Sequence, residues 1–225
     1  MGIITIVLAL LPGFAWLLFY LEEDMHPEPK KLIIYTFIVG MASAFFALAA
    51  EIFLKSFFRN AGVAELALFP LLIFALVEEA IKFGAAYLAV HKNPAFDEPV
   101  DAMIYCVVAA LGFATIENIG ALTTGSSAQT ALLSQVFATT SIRFVGATLL
   151  HSLASAIVGY YWAVGIRDMR VKKYVLWGLL IATILHTVFN YLIITYGNVA
   201  YVAVFLVITG FFVLNDFEKL KRRTL

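Results

Sequence analysis

Long apolar runs separated by short polar loops are the feature that most constrains this chain. A helix needs roughly 20 apolar residues to cross a bilayer. Seven runs come close to or exceed that length: 2–21, 32–55, 64–90, 100–122, 143–166, 174–196 and 198–217. Charged residues make up 13% of the sequence, against about a quarter in soluble domains. The sequence therefore predicts an all-α, polytopic transmembrane helix bundle that forms one domain over residues 1–225.

Two segments leave the number of spans at seven or eight. Residues 130–142 are mildly apolar but too short to span, so they form either a re-entrant helix or part of an eighth span. The first apolar run lacks a basic segment before it and a small-residue cleavage pattern after it. We expect it to be a retained first span and not a signal peptide. Cys106 is the single cysteine, so the chain has no internal disulfide framework.

Lysine and arginine in the loops predict the orientation. Eleven of them fall in alternate loops and the C-terminal tail: Lys30, Lys31, Lys92, Arg167, Arg170, Lys172, Lys173, Lys219, Lys221, Arg222 and Arg223. The opposite side carries Lys55 and Arg59. The positive-inside rule then places the N-terminus outside and the C-terminus in the cytoplasm. The formal net charge of +0 gives no basic face for nucleic acid, so the expected surroundings are the lipid bilayer.

Three charged side chains lie within the third predicted span, where lipid disfavours them by about 2.5–3.5 kcal/mol each. Lys82 follows Glu78 by four residues and Glu79 by three, so it can neutralise either one across a single helical turn. A structural ion pair needs only one glutamate. The second glutamate is therefore a candidate general base.

Further polar residues occur in the next three spans. Glu117 has no local cation, so we expect a proton, a metal or a histidine on another helix to be its partner. His186 and Asn190 are four residues apart and share a helix face. In the N-out orientation these three residues and His151 lie roughly 8–15 Å below the outer boundary, at 1.5 Å per residue. One site in the outer half of the bilayer follows from that shared depth.

Arg143, at the outer end of the fifth predicted span, has two interpretations. Its guanidinium either reaches the interface or pairs with a buried carboxylate such as Glu79. Asn118 directly follows Glu117 in the fourth span. Lys82, Arg143 and Asn118 are expected to support the site.

These residue types fit the activation of water in two ways. In the first, Glu117, His151 and His186 bind Zn²⁺ and leave a coordination position open. Glu78 or Glu79 is then the general base, and Asn190 stabilises the tetrahedral intermediate. In the second, Glu78 and one histidine activate water without a metal, and His186 and Asn190 form the oxyanion hole. A cation or proton transporter, or a binding protein without proteolytic activity, remains the alternative.

Four motifs in a fixed order carry a family resemblance over about residues 70–195. They are Glu78-Glu79-x-x-Lys82, Pro99-Val100-Asp101-Ala102 leading into Phe113-x-x-x-Glu117-Asn118, Arg143 with His151-x₇-Gly159-Tyr160, and His186-x-x-x-Asn190. This pattern resembles the PrsW family of membrane proteases. Ala102 stands where that family pattern has glycine. Glu117 stands where the wider CAAX protease and bacteriocin-processing group has histidine.

The resemblance implies an intramembrane endopeptidase of the metalloprotease or glutamate type in a prokaryotic cell membrane. Its implied substrate is a membrane-anchored protein or peptide, such as an anti-sigma factor. The implied site consists of six residues: Glu78, Glu79, Glu117, His151, His186 and Asn190.

Overall fold

The structure is a computed structural model that describes residues 3–23, 26–124 and 133–221. Within these ranges every regular element is an α-helix. The helices are α1 (Ile3–Leu21), α2 (Lys30–Asn60), α3 (Leu68–Val90), α4 (Pro99–Thr124), α5 (Leu133–Val145), α6 (Ala147–Arg167), α7 (Val171–Tyr196) and α8 (Val199–Lys221). The predicted all-helical fold is confirmed.

Five helical stretches are long and apolar enough to cross a membrane: Lys30–Asn60, Pro99–Thr123, Thr139–Arg167, Val171–Tyr196 and Val199–Lys221. In α1 the corresponding apolar stretch, Ile6–Leu21, is shorter. Helix α3 has 23 residues, but Glu78, Glu79 and Lys82 lie at or just after its middle and lower its hydropathy. Large apolar side chains face outward on several helices, including Phe46 at 71% and Leu88 at 72% exposure. Such an apolar exterior suits lipid and not water.

The predicted span 143–166 is interrupted in the structure. Helix α5 ends at Val145, Gly146 has non-helical φ and ψ of −104° and −99°, and α6 begins at Ala147. Arg143 therefore lies on α5 and not on the helix that carries His151. Helix α5 takes up most of the segment 130–142, whose first three residues fall outside the described ranges. At about 1.5 Å per residue, its 13 residues cover about 20 Å, which is too short to span alone.

Helix α4 is the central helix of the bundle, in contact with α1, α2, α3 and α6. Every residue from 100 to 115 is buried, as expected of a helix that is apolar on all sides. Two glycines allow α2 to approach it closely. A Cβ added at Gly40 would overlap the carbonyl oxygen of Ala109, and one at Gly112 would overlap that of Phe37. The polar cluster described next is built around this buried helix.

Candidate active site

Helices α3, α4, α6 and α7 each contribute ionisable side chains to one cluster. Exposure of these side chains is 0% for Glu79 and Lys82, 3% for His151, 4% for His186, 9% for Glu78 and 31% for Glu117. Ions so buried need partners, because removal from water disfavours an unpaired charge by several kcal/mol. The pairing pattern therefore shows which groups are neutralised and which are not.

Glu79 is the glutamate that Lys82 neutralises. Its Oε1 accepts a hydrogen bond from Lys82 Nζ at 2.6 Å and another from His186 Nδ1 at 2.7 Å. Because Nδ1–H of His186 donates to a carboxylate, the other ring nitrogen, Nε2, carries the lone pair when the ring is neutral. The sequence spacing allowed Lys82 to pair with either Glu78 or Glu79. In the structure it pairs with Glu79, three residues before it.

Both ring nitrogens of His151 have partners. Lys82 Nζ lies 2.9 Å from Nδ1, and Glu117 Oε2 lies 2.7 Å from Nε2. An ammonium group only donates, so Nδ1 accepts from Lys82 and Nε2–H donates to Glu117. These two contacts fix the tautomer and the orientation of the ring. The interhelical partner expected for Glu117 is thus a histidine.

Arg143 supports the far side of Glu117 and does not pair with Glu79. Its Nη2 lies 3.5 Å from Glu117 Oε2, and its Nε donates to Asn118 Oδ1 at 2.5 Å. The amide nitrogen of Asn118 then donates to Thr148 Oγ1 at 3.1 Å. Arg143 and Asn118 therefore connect α5, α4 and α6 beside the cluster.

Glu78 differs from the other two carboxylates. Its Oε2 is buried and has no hydrogen-bond partner in the described part of the chain. No lysine or arginine nitrogen of these residues lies within 4.0 Å of it; the nearest ring nitrogen is His186 Nε2, at 3.8 Å. Two acceptors without donors thus face each other across a gap that a bridging water suits.

Asn190 is the predicted site residue that the structure does not join to the cluster. It lies on α7, one turn after His186, and is half-buried. Its side chain makes no hydrogen bond to any residue within 3–23, 26–124 or 133–221. Its amide hydrogens therefore have no acceptor in the described part of the chain.

A possible metal-ligand set is present. Glu78, His151 and His186 each offer one donor atom, and these atoms all lie within 4.8 Å of one another. The predicted ligands were Glu117, His151 and His186. In the structure Glu117 is bound to Nε2 of His151 and to Arg143, and it does not belong to the ligand set. Glu78 takes its place.

The donors fit a divalent cation such as Zn²⁺. Glu78 Oε2 is unpaired, and Glu79 binds the second nitrogen of His186, as carboxylates do behind zinc-bound histidines. Both ring nitrogens of His151 have partners, so His151 can serve as a ligand only when Lys82 leaves Nδ1 or Glu117 leaves Nε2.

Phe113 is a neighbour of the cluster for which no role was predicted. Its ring centroid lies 5.6 Å from that of His151 and 5.4 Å from Lys82 Nζ. It is 1% exposed and screens both groups from lipid on one side. The signal was its position one turn before Glu117, which places both side chains on one helix face.

Buried carboxylates and histidines in a bundle of apolar helices are the arrangement expected of an intramembrane hydrolase. Comparison with known families agrees with this class. The sequence profile described as "PrsW family intramembrane metalloprotease" matches residues 28–214. The chain belongs to the PrsW family and is an intramembrane protease.

Several curated bacterial proteins named Protease PrsW are similar to the chain. The protein of Geobacillus kaustophilus is 31% identical over 191 residues, which cover 81% of this chain and 76% of the relative. That of Bacillus subtilis is 26% identical over 212 residues, covering 92% and 91%. That of Clostridioides difficile is 29% identical over 192 residues, covering 83% and 78%.

No solved structure matches the chain. The family and the five membrane-spanning stretches make it a multi-pass bacterial membrane protein. They do not favour the transporter interpretation.

Proposed function

We propose that Glu78 and His186 activate the water that cleaves the peptide bond. The observation that carries this proposal is the unpaired, buried Oε2 of Glu78 opposite Nε2 of His186, 3.8 Å away. The other two carboxylates of the cluster are engaged by Lys82, Arg143 and the histidines. Glu78 is the carboxylate that can accept a proton without losing an ion pair.

The reaction proceeds by general base and then general acid catalysis. Glu78 takes a proton from water, and the oxygen attacks the carbonyl carbon of the scissile bond. The resulting tetrahedral oxyanion is stabilised by the amide of Asn190. When the intermediate collapses, Glu78 returns the proton to the leaving nitrogen, so that a carboxylic acid and an amine are the products.

The remaining residues position these groups. Lys82 holds Glu79 and His151, and Glu79 in turn holds His186. Glu117 and Arg143 fix the other edge of His151. Ordered hydrogen bonds of this kind keep reacting groups near the productive geometry without reorganisation during the reaction.

A zinc ion would be held by Glu78, His151 and His186. When bound, it supplies a Lewis acid that lowers the pKa of water and polarises the scissile carbonyl. Because Glu78 cannot be a zinc ligand and the base at once, one equivalent of zinc that His186→Gln loses would make Glu78 a ligand and leave the activation of water to the metal. Cleavage that continues at full rate after chelation, in protein shown to be metal-free, would limit the mechanism to the residues themselves.

The site assignment is tested by removing single carboxylates. Glu78→Gln is expected to abolish cleavage without changing expression or insertion, because glutamine cannot accept the proton. Glu65→Gln is the matched control, since Glu65 pairs with Arg59 at an exposed position before the start of α3. New protein N-termini in bacterial membranes, measured by mass spectrometry with and without each variant, report cleavage. Unchanged termini with Glu78→Gln would disprove the assignment.

The proposed substrate is a membrane-anchored regulatory protein, such as an anti-sigma factor. This proposal is supported by the burial of the cluster among membrane helices and by the family resemblance. The proposed topology has seven or eight spans; with seven, the N-terminus is outside and the C-terminus in the cytoplasm. A C-terminal reporter that is active only in the periplasm or outside the cell should stay silent; a signal from it would reverse the orientation.

A relationship with the CAAX protease and bacteriocin-processing group is also part of this proposal. It is supported by the Glu78-Glu79 pair and the His186-x-x-x-Asn190 pattern. Glu117, which replaces the histidine of that group, binds His151 here. The replacement thus gives the chain an extra carboxylate beside a histidine.

A further inference from the structure

The break between α5 and α6 interrupts the backbone hydrogen bonds that a continuous helix would make. Helix α6 starts its own series with the N–H of Leu150, which donates to Gly146 O at 2.9 Å. In a continuous helix the carbonyl oxygen of Phe144 would accept from Thr148. Here it accepts no backbone N–H of the described residues. A carbonyl among membrane helices is unfavourable without a donor, so its partner has to come from elsewhere in the bundle.

Trp16 of α1 supplies that donor. Its indole Nε1–H donates to Phe144 O at 2.9 Å. Its ring also stacks on the ring of Phe144, with centroids 5.2 Å apart and an interplanar angle of 21°. Buried tryptophans commonly satisfy their N–H with a protein acceptor, but here one side chain binds both the backbone and the ring of the same residue. Trp16 therefore holds the last turn of α5 in place.

The last turn of α5 also carries Arg143, which has to reach α4. Its Nη2 lies 3.5 Å from Glu117 Oε2, and its Nε donates to Asn118 Oδ1. Helix α5 has only 13 residues and packs against α1, α4 and α6. Displacements of about 1 Å are enough to lower the rate of an enzyme strongly. The position of Arg143 thus depends on what holds the end of this short helix.

Helix α1 contacts the surroundings of the cluster at two other points. Asn118 Nδ2 lies 3.4 Å from the carbonyl oxygen of Ala9. Further along α1, the hydroxyl groups of Tyr20 and Ser152 are 3.2 Å apart, and Ser152 directly follows His151. Together with the contact to α5, these bonds connect one helix to α4, α5 and α6 beside the cluster. Helix α1 therefore acts on the site through the residues that support it.

We propose that Trp16 is a positioning residue of the protease, which holds the end of α5 where Arg143 reaches Glu117 and Asn118. The role of Trp16 rests on the proposed function and deepens it, because Arg143 supports the carboxylate that is bonded to His151. The family profile matches residues 28–214, so α1 lies outside that match.

The first test removes the donor and keeps an aromatic ring. Trp16→Phe loses the bond to Phe144 O, and one hydrogen bond changes the equilibrium between the held and the displaced end of α5 by a factor of about 2 to 12. We expect the rate at which the wild-type N-termini appear, per amount of inserted protein, to fall by that factor. Trp177→Phe is the control, because Trp177 is 51% exposed and has no hydrogen bond to the described residues. It should cleave at the wild-type rate.

The second test restores the donor. In histidine, Nε2 occupies the same place in the five-membered ring as Nε1 does in tryptophan, so Trp16→His keeps an N–H that can reach Phe144 O. The comparison is made at about pH 8, where the imidazole is neutral. We expect Trp16→His to cleave faster than Trp16→Phe, although its ring is the smaller of the two. A rate no faster than that of Trp16→Phe would show that the hydrogen bond has no part in positioning.

The third test asks whether Trp16 acts through Arg143. Once Arg143→Gln has removed the guanidinium, the end of α5 has no charged group left to place. We therefore expect Trp16→Phe/Arg143→Gln to cleave at the rate of Arg143→Gln alone. A side chain that only stabilises the bundle acts independently, and the two losses would then multiply. The double variant thus separates positioning from packing.

The outcomes distinguish the role of Trp16 from the proposed function. A wild-type rate with Trp16→Phe overturns the positioning role, as do losses that multiply in the double variant. A wild-type rate with Arg143→Gln overturns it too, because Trp16 would have nothing to position. If Trp16→Phe does not insert, Trp16→His takes its place in the double variant. Cleavage that survives Glu78→Gln refutes the proposed base, while the variants of Trp16, measured with Glu78 intact, still decide on Trp16.

Discussion

The buried pair of Lys82 and Glu79 gives the sharpest test of how the cluster is held together. The two groups are 2.6 Å apart and both are 0% exposed. Lys82→Met leaves the Glu79 carboxylate in the membrane interior with His186 as its remaining partner. Removing one member of a buried pair lowers the free energy of unfolding by about 3–5 kcal/mol. We expect Lys82→Met to show a loss of this size.

The double variant Lys82→Met/Glu79→Gln removes the charge that the single variant leaves behind. His151 Nδ1 then remains without its donor, which lowers the free energy of unfolding by about 1–3 kcal/mol. The double variant should therefore be more stable than Lys82→Met alone. Lys55→Met, which breaks an ion pair with a lysine that is 40% exposed, is the control and should lose at most about 1 kcal/mol.

Reversible unfolding in mixed detergent micelles measures these differences through tryptophan fluorescence. Trp162, which is 2% exposed and stacks on Phe96, reports on the bundle interior. The reasoning is refuted if the double variant loses as much free energy of unfolding as Lys82→Met and Glu79→Gln lose together when each is measured alone. The two groups would then not be coupled. A Lys82→Met variant as stable as Lys55→Met would refute it as well.

Three further predictions concern packing and positioning. Gly40→Leu should lower the free energy of unfolding by about 1–3 kcal/mol in the same assay, because its Cβ overlaps the Ala109 carbonyl oxygen. Gly84→Leu is the control and should not lower it. Equal stability of the two variants would contradict the packing argument. Arg143→Gln should lower the cleavage rate about 10- to 100-fold, as for residues that orient a metal-ligand histidine, with metal content retained; a wild-type rate would remove its positioning role. Phe113→Leu should weaken the bundle by about 0.5–2 kcal/mol through the lost cation–π contact, and an unchanged unfolding curve would show that the contact contributes nothing.

Much of the fold follows from the length of the apolar runs, because lipid forces the backbone to satisfy its own hydrogen bonds in helices. Lipid also makes charged residues conspicuous, so Glu78, Glu79 and Lys82 were evident in the sequence. The break at Gly146 was not, since the residues on both sides are apolar and glycine is common in membrane helices. Its effect was to place Arg143 on a helix different from that of His151.

The pairing within the cluster could not be predicted, because it depends on distances between helices. By spacing alone Lys82 can reach both glutamates, and the structure distinguishes them because Lys82 and His186 both bind Oε1 of Glu79. The sequence likewise showed that Glu117 needed a partner without showing that His151 and Arg143 both supply it. For the same reason the predicted metal ligands included Glu117, whereas the structure groups Glu78 with the two histidines.

The charges of the cluster distinguish one of its three carboxylates from the other two. Arg143 faces Glu117 and Lys82 faces Glu79, so these four charges cancel in pairs. Glu78 is left over, inside a medium that strongly disfavours an isolated anion. It can be neutralised only by a proton or by a cation that enters the site. A carboxylate in that position binds the proton of a water molecule or a metal ion more readily than any paired neighbour, and this property supports the role proposed for Glu78 in hydrolysis.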